Sequence, residues 1–246
     1  MNNINDSYFH GYYKDIWKEI IPKELTVKEV DFIQQYFNLQ PNCKVLDIMC
    51  GYGRHAIPLA EKGIAVTGVD NLTEYVSELS QIATERSLPI TAFQSDIVEF
   101  KSFDSFDLAI WMGNSLNFFQ ANDIKIILQN VFSQLKVGGH LLIHSWSISE
   151  IVTKQFVSKG WNYVNGMKLL TDSKFLFHPT RIETETIIID IDGKSESKLA
   201  IDYIFSLSEL TDLLLSAGFT GLEYFSIPGK KQYSFGDTRI YITVTK

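Results

Sequence analysis

The stretch VLDIMCGYGRHAIPLAEKG, residues 45–63, decides the fold of this chain. A hydrophobic run ends at Gly51 and Gly53, and an apolar pattern with helical spacing follows them. Both glycines can adopt positive φ and carry no Cβ, so the backbone can bend sharply there and let a ligand lie against it. Because Pro58 is tolerated only in the first turn of a helix, the helix is predicted to begin near Arg54. The stretch therefore predicts a strand, a tight glycine turn and a helix, as in an open α/β sheet.

Composition and charge restrict the class of protein. The chain has 246 residues, 45% of them hydrophobic and 21% charged, which is an ordinary balance for one sizeable α/β domain. Its net charge is -7 and no basic run follows the pattern that tracks a phosphate backbone, so a nucleic-acid partner is not expected. The sequence shows neither a signal peptide nor an apolar stretch approaching the roughly 20 residues that span a bilayer. It predicts a cytoplasmic protein without a membrane partner and carries no signal for an oligomeric state.

From residue 44 the chain alternates β-branched runs with helical patterns. This alternation predicts βαβ units and a mostly parallel sheet. The predicted strands cover 44–49, 65–70, 89–94, 106–112 and 140–146, and predicted helices cover 73–87 and 122–135. Five parallel strands in succession favour a doubly wound sheet.

Beyond Trp146 the pattern changes. The segment RIETETIIIDIDGKSESKLAIDYIF alternates at period two about Asp192-Gly193, which predicts an antiparallel hairpin. Residues 206–219 return to helical spacing behind a capping box of Ser206 and Glu209. Two further strands, at 221–227 and 239–245, close the predicted sheet.

The N-terminal segment predicts an amphipathic helix. Its apolar side chains recur at helical spacing, at Tyr13, Ile16, Trp17, Ile20 and Ile21. Such a helix either packs on the domain or forms an aromatic lid over a ligand cleft. We predict a single domain over 1–246, with an N-terminal helical segment at 1–38 and an inserted antiparallel element at 147–205.

Three aspartates lie where the strands of such a sheet meet a ligand. Asp70 ends the second strand, 19 residues after Gly51, where a carboxylate can accept hydrogen bonds from both hydroxyls of a ribose. Asp96 follows the third strand and could accept from the exocyclic amine of adenine. Asp47 lies within the first strand and is predicted to accept N–H bonds from the loop, because an unpaired carboxylate would be costly there. The alternatives for Asp70 and Asp96 are turn or helix-capping aspartates.

The cysteines and histidines predict neither a zinc site nor a nucleophile. Cys50 is interpreted as a small packed residue, because no histidine is placed to activate it. His140 and His144 share one face of a strand, as a pair of metal ligands would, but no third ligand is placed beside them. We therefore predict no bound metal.

Several motifs resemble, in order and spacing, those of the class I S-adenosylmethionine-dependent methyltransferases. They are VLDIMCGYGRHA, GVD, QSDI, FDLAIWMGNSLNFF, LKVGGHLLIH and IFSLSELTDLLLSAGF, within a similarity that spans about residues 40 to 246. The resemblance implies S-adenosylmethionine as cofactor and a Rossmann-like seven-stranded sheet whose last strand is antiparallel.

The same resemblance assigns roles by position. Four residues would form the loop beneath the methionine part of the cofactor, namely Asp47, Cys50, Gly51 and Gly53. Asp70 would bind the ribose, Asn71 and Leu72 would flank the adenine, and Asp96 and Ile97 would hold its edge. Three residues would line the methyl-transfer side, namely Met112, Gly113 and Asn114.

Departures from the family pattern affect which subgroup of methyltransferases the chain resembles, and not which cofactor is implied. The family often has glycine where this chain has Cys50 and Arg54, and the form D-x-x-C-G-x-G-R resembles a small-molecule subgroup. Nothing like Asn-Pro-Pro-Tyr follows the fourth strand, which argues against methylation of adenine N6 or of a glutamine amide. The resemblance thus implies methyl transfer to a small molecule through an O, N or C nucleophile. A hydroxyl acceptor would need a general base, for which His144 is the candidate.

Two other functions stay open at this point. Gly51, Gly53 and Ala56 satisfy the loose G-x-G-x-x-G/A pattern, which would suit a nicotinamide-dependent oxidoreductase, although the sequence contains no Tyr-x-x-x-Lys. A non-catalytic adenosine-binding module would carry the same binding residues. For a methyltransferase, we expect the insert and the N-terminal segment to cover the acceptor. Arg181 would then hold an acidic group of that acceptor, or else pair with Glu183.

Overall fold

The computed structural model describes residues 3–227 and 229–246 of the chain. Strands and helices are numbered along the sequence. The main sheet contains β1 (Lys44–Ile48), β2 (Ala65–Asp70), β3 (Ile90–Gln94), β4 (Phe106–Trp111), β5 (Leu135–Ser145), β10 (Thr220–Ile227), β11 (Lys231–Gln232) and β12 (Ile240–Thr245). Within the described residues its order is β11-β10-β12-β5-β4-β1-β2-β3.

The topology confirms the predicted doubly wound sheet. Strands β1 to β5 pair in parallel, and β12 runs antiparallel to both β5 and β10. Seven strands form the expected sheet, and the two-residue β11 adds an edge. The strand order reverses between β1 and β4, which is the position where open α/β sheets bind ligands.

Helices cover both faces of this sheet. The helices are α2 (Lys23–Tyr36), α3 (Ala56–Glu61), α4 (Thr73–Glu85), α5 (Ala121–Gln134) and α7 (Leu207–Ser216). Leu46 and Ile48 of β1 belong to the buried cluster on the side of α5 and α7, whereas Val45 belongs to the cluster on the side of α2 and α3. Strands covered on both faces are nearly all apolar, which is why the hydrophobic runs in the sequence located them.

One predicted boundary was wrong. Helix α5 ends at Gln134 and β5 begins at Leu135, five residues before the predicted start of that strand. Residues 138 and 139 pair with the end of β12, since Gly138 N–H donates to the Lys246 carbonyl and Lys246 N–H donates to the Gly139 carbonyl. The two glycines therefore extend the sheet and do not separate the helix from the strand.

The insert is larger than the predicted hairpin. It contains α6 (Ser149–Gln155) and an antiparallel sheet of β6 (Lys159–Val164), β7 (Met167–Phe177), β8 (Thr180–Ile189) and β9 (Ser195–Tyr203), in that order. The hairpin about Asp192-Gly193 joins β8 to β9, as predicted. The pair Asn165 and Gly166 joins β6 to β7, and both residues have positive φ. Asn-Gly is a strong hairpin signal, so the sequence contained this turn as well.

The N-terminal amphipathic segment forms α1 (Tyr12–Ile20). Ile16 of this helix is fully buried against Leu169 and Ile188 of the inserted sheet. The helix therefore packs on the insert, while its Trp17 lies beside Trp146, which follows β5. No helix within residues 3–227 and 229–246 has the length and apolar character needed to cross a membrane.

Candidate functional site

A cleft of about 440 Å³ opens at the carboxyl ends of β1, β2, β3 and β4. Its volume is typical of small-ligand pockets. Ten of the twelve predicted cofactor-binding residues line it, namely Asp47, Cys50, Gly51, Asp70, Asn71, Leu72, Asp96, Ile97, Met112 and Gly113. Gly53 and Asn114 do not line the cleft. Gly53 packs against Leu79, and the Asn114 side chain is buried.

The two glycines of the turn differ in what they face. Gly51 has φ +54°, and a Cβ built there would meet only Tyr75, at 3.9 Å, so its open side is available to a ligand. Gly53 has φ +84°, and a Cβ there would lie 2.5 Å from Leu79 Cδ1. The structure thus corrects the prediction for Gly53, which lets the loop pack against α4 and is itself buried.

Asp70 ties the glycine turn to the end of β2. Its Oδ2 accepts from Gly51 N–H at 2.8 Å, and its Oδ1 accepts from Leu72 N–H at 2.9 Å. Burial raises the pKa of this carboxyl. Asp96 has one such bond, since its Oδ1 accepts from Val98 N–H at 2.9 Å in a local turn. Both side chains therefore have oxygen lone pairs left for a ligand, and Asp70 also shapes the loop.

Asp47 leaves a polar atom unsatisfied beside the cleft. The side chain is 2% exposed, and its Oδ2 has no hydrogen-bond partner among the described residues. Burial raises its pKa to about 7, against the opposing charge of Arg54 and an N–H bond from Ala56. The hydrogen bonds predicted from the loop are not seen, since Ala56 already belongs to α3, and the second oxygen has no partner among the described residues. A cationic group of a ligand would satisfy it.

Cys50 is packed inside the turn. It is 8% exposed, and a Cβ on Gly68 would lie 2.9 Å from its Sγ. Burial raises the pKa of the thiol well above its usual range. The side chain therefore remains a neutral thiol, which is unsuited to nucleophilic attack.

The N-terminal residues bridge the two walls of the cleft. Asn71 Nδ2 donates to Asp6 Oδ1 at 2.6 Å, and Asn3 Nδ2 donates to the Phe118 carbonyl at 2.8 Å. Asn5 Nδ2 donates to the Ile201 carbonyl at 2.9 Å, while Ile201 N–H donates to Asn5 Oδ1 at 2.8 Å. Because these bonds join the end of β2 to the insert, the segment covers the cleft as a lid would.

A buried ion network that sequence reasoning missed supports the turn from behind. Glu29 of α2 is fully buried, and its Oε2 accepts from Arg54 Nη1 at 2.6 Å and lies 3.0 Å from His55 Nε2. Tyr241 OH donates to the other oxygen of Glu29 at 2.8 Å. Burial alone would raise the pKa of Glu29, but the bond from His55 and the charges of His55 and Arg54 hold it below its usual range. Arg54 and His55 both line the cleft, so Glu29 positions them.

The candidate base His144 does not reach the cleft. It is 1% exposed and its ring stacks on Tyr241, with centroids 4.4 Å apart. Neither ring nitrogen has a hydrogen-bond partner in the described part of the chain. Burial lowers its pKa to about 3, so the ring is neutral at pH 7. The structure gives no support to His144 as a general base. Nor does any group of three His, Cys, Asp or Glu side chains in the described ranges suit a metal ion.

Burial of His144 predicts a loss of stability in acid. A histidine with a lowered folded pKa favours the unfolded state as pH falls below its unfolded pKa of 6.5. At about 1.4 kcal/mol per pH unit, His144 should cost about 2 kcal/mol at pH 5. We expect His144→Phe to reduce the difference in unfolding free energy between pH 7 and pH 5 by that amount, measured in urea. The control His10→Gln removes an exposed histidine and should keep the native difference. An unchanged difference in His144→Phe would contradict this assignment.

Arg181 does not face the cleft either. Its Nε donates to Glu183 Oε1 at 2.8 Å, and its Nη1 donates to the carbonyls of His178 and Pro179. The pairing with Glu183 is thus the alternative that the structure shows. An acidic group on the acceptor therefore has no support from Arg181.

Fold and site together define a Rossmann-like protein whose cleft suits a nucleoside cofactor. Residues 45–139 match the family described as "Methyltransferase domain". The ubiquinone biosynthesis O-methyltransferase of Rickettsia canadensis (strain McKiel) is 33% identical over 185 residues, 70% of this chain and 76% of that enzyme. The chain therefore belongs to the S-adenosylmethionine-dependent methyltransferases, with S-adenosylmethionine as its methyl donor.

Other relatives match at lower identity or over shorter stretches. The glycine/sarcosine N-methyltransferase of Aphanothece halophytica is 25% identical over 179 residues, 71% of this chain and 67% of that enzyme. The protein YqeM of Bacillus subtilis (strain 168) is 39% identical over 113 residues, but this covers 44% of this chain and only 45% of that one. Matches over 80 residues or fewer include 23S rRNA (uracil(1939)-C(5))-methyltransferases. The relatives thus act on small molecules or, among the distant ones, on rRNA.

Solved structures show the same fold. The CcbJ methyltransferase from Streptomyces caelestis superposes with a TM-score of 0.83 at 14% identity, over 97% of this chain and 98% of that one. An S-adenosylmethionine-bound amino pentose methyltransferase from Micromonospora echinaspora gives 0.72 at 17% identity, over 96% of each chain. The similarity extends over the inserted sheet and the N-terminal helices, since nearly the whole chain is covered.

Proposed function

We propose that this enzyme methylates a small organic molecule held between the glycine turn, the N-terminal segment and the inserted sheet. The observation that carries the proposal is the bridging of the cleft by residues 3–7, which join Asn71 on one side to Phe118 and Ile201 on the other. A bridged cleft of about 440 Å³ leaves little room for a folded macromolecule. The chain also has a net charge of -7, which disfavours a polyanionic substrate.

The residues around the cleft fit the cofactor. Asp70 would accept from the ribose hydroxyls, Asp96 would accept from the adenine amine, and the free oxygen of Asp47 would take the amino group of the methionine part. When bound, S-adenosylmethionine supplies an electrophilic methyl group on a sulfonium. Gly51 contributes an open backbone against which the ligand can lie. These contacts would fix the orientation of the donor, and orientation in a dry site provides much of the rate of such a displacement.

The acceptor side is lined by aromatic rings. Phe9 and Trp17 of the N-terminal segment and Tyr203 of the insert all line the cleft. Apolar rings exclude water from the transfer site and fit an organic acceptor better than a polyphosphate chain. The named relatives include an O-methyltransferase and an N-methyltransferase of small molecules, so both kinds of nucleophile are compatible with the fold.

Transfer of labelled methyl groups distinguishes a small acceptor from RNA. The enzyme is incubated with methyl-tritiated S-adenosylmethionine and either a metabolite extract below about 1 kDa or protein-free 23S rRNA. We expect label in the metabolite fraction and none in the rRNA, because the bridged cleft admits only a small molecule. A parallel reaction with excess S-adenosylhomocysteine controls for specific transfer. Label in the rRNA alone would contradict the proposal.

A further inference from the structure

Asp202 of β9 approaches the residues next to the cleft. Its Oδ1 accepts from Asn114 Nδ2 at 3.1 Å. Asn114 has left-handed backbone geometry, with φ +69°, and directly follows Met112 and Gly113, which line the cleft. The inserted sheet thus places a carboxylate beside the segment expected to line the methyl-transfer side.

The amide of Asn114 is committed to holding this arrangement. Its Oδ1 accepts from Ser145 Oγ and from Trp146 N–H, both at 3.0 Å, and its Nδ2 also donates to Ser147 Oγ at 3.0 Å. Asn114 is 3% exposed and has no free polar atom to offer a ligand. The structure therefore corrects its predicted role, since Asn114 orients Asp202 and does not itself line the cleft.

Asp202 lacks a cationic partner. No Lys, Arg or His side chain in residues 3–227 and 229–246 lies within salt-bridge distance of it, and Asn114 provides its one described side-chain hydrogen bond. Burial raises its pKa to about 7, against the bond from Asn114. Asp202 is half-buried. A carboxylate partly withdrawn from water without a counter-charge is costly, so a cationic ligand there would form the ion pair that the protein itself does not provide.

Aromatic residues lie beside Gly113 and Asn114. Trp17 lies 6.3 Å from Trp146 between ring centroids and 6.4 Å from Tyr13, on which it stacks. A Cβ on Gly113 would lie 3.9 Å from Trp17. Burial and the neighbouring Tyr8 raise the pKa of Tyr13, and the charge of Asp202 adds to this rise, as it does for Tyr8. Aromatic faces attract cations, and the attraction increases where water is excluded.

We propose that Asp202, together with the rings of Trp17 and Trp146, forms an acceptor subsite that binds a small amine as its ammonium ion. This inference rests on the proposed function and specifies the class of its acceptor. It makes the enzyme an N-methyltransferase. Asp202 selects a charged nitrogen over a hydroxyl because only the ammonium ion neutralises the carboxylate.

The subsite also provides an acceptor for the proton that the ammonium ion must lose. An ammonium ion must lose a proton before its nitrogen can attack, and Asp202 accepts that proton. Burial raises the pKa of Asp202, which makes its carboxylate a better proton acceptor than an exposed aspartate. The nitrogen lone pair then forms the bond to the methyl carbon as the bond from carbon to sulfur breaks, and that electron pair remains on sulfur. Asp202 finally releases its proton to solvent.

Binding of amines and matched alcohols tests the inference. The probes are methylamine, cyclohexylamine and phenethylamine, and the controls are methanol, cyclohexanol and 2-phenylethanol. Binding is measured by calorimetry at pH 8 with S-adenosylhomocysteine saturating. We expect at least one amine to bind ten-fold or more tightly than its alcohol, and Asp202→Asn to lose that preference. Asparagine can still accept from Asn114, so the fold should persist. The matched control Asp192→Asn removes a carboxylate at the hairpin tip of the same insert and should bind as the native protein does.

Each outcome decides between the two proposals. Absence of S-adenosylhomocysteine binding in the native protein would refute the proposed cofactor site. If S-adenosylhomocysteine binds but no amine exceeds its alcohol, or Asp202→Asn keeps the preference, the amine subsite is wrong while the cofactor site stands. Equal binding of alcohols and amines in the native protein would point to a hydroxyl acceptor and would likewise overturn the inference.

Discussion

Asp70→Ala is expected to weaken the binding of S-adenosylhomocysteine about 100-fold or more. A carboxylate that accepts from two ribose hydroxyls makes two charge-assisted bonds, each worth about 1.5 to 3 kcal/mol. Loss of at least about 3 kcal/mol corresponds to roughly a 150-fold change in Kd. The variant also loses the bonds from Gly51 and Leu72 N–H that hold the glycine turn at the end of β2.

Asp96→Ala provides the matched comparison. Its carboxylate would make one bond to the adenine edge, so we expect a loss of about 10-fold. Both variants are measured by calorimetry, and circular dichroism and thermal melting must show that each remains folded. Asp70→Asn keeps one acceptor oxygen, so its Kd for S-adenosylhomocysteine should lie between those of Asp96→Ala and Asp70→Ala. A Kd for Asp96→Ala as high as that for Asp70→Ala would contradict the ribose assignment.

Glu29→Ala is expected to destabilise the fold by about 3 to 5 kcal/mol. Removing one member of a buried ion network leaves the others charged or polar without a partner. Here the groups left behind are Arg54, His55 and the Tyr241 hydroxyl. The free energy of unfolding in urea at pH 7 measures the effect. Tyr241→Phe removes one bond from the same network and should cost only about 1 to 3 kcal/mol.

The network also predicts a direction for pH dependence. The folded pKa of Glu29 lies below its unfolded value of 4.5, so its contribution is present above that value and is lost as pH falls further. Glu29→Gln should therefore flatten the loss of stability below pH 4.5. If the unfolding free energy of Glu29→Ala lies within about 1 kcal/mol of the native value, Arg54 and His55 have found other partners. Because both line the cleft, weaker S-adenosylhomocysteine binding should accompany the destabilisation.

Local sequence determined the parts of this protein that depend on backbone preference and periodicity. The turn at Gly51, the hairpin at Asp192-Gly193 and the capping box of Ser206 with Glu209 were predicted from residues close together in the chain. Asp70 and Asp96 could be placed at one edge because parallel strands end on the same side of a sheet. Such features need no knowledge of which distant segments pack together.

The tertiary structure alone decided which distant side chains meet. Glu29 and Tyr241 lie 212 residues apart, and Asn114 and Asp202 lie 88 apart, and no motif marks either pair. The same holds for Gly53, whose missing Cβ makes room for Leu79, and for His144, which packs behind the cleft against Tyr241. These positions follow from how α2, α4 and the inserted sheet pack on the main sheet and from the pairing of β5 with β12. Packing depends on the shape of both surfaces at once, so a single segment of sequence does not encode it.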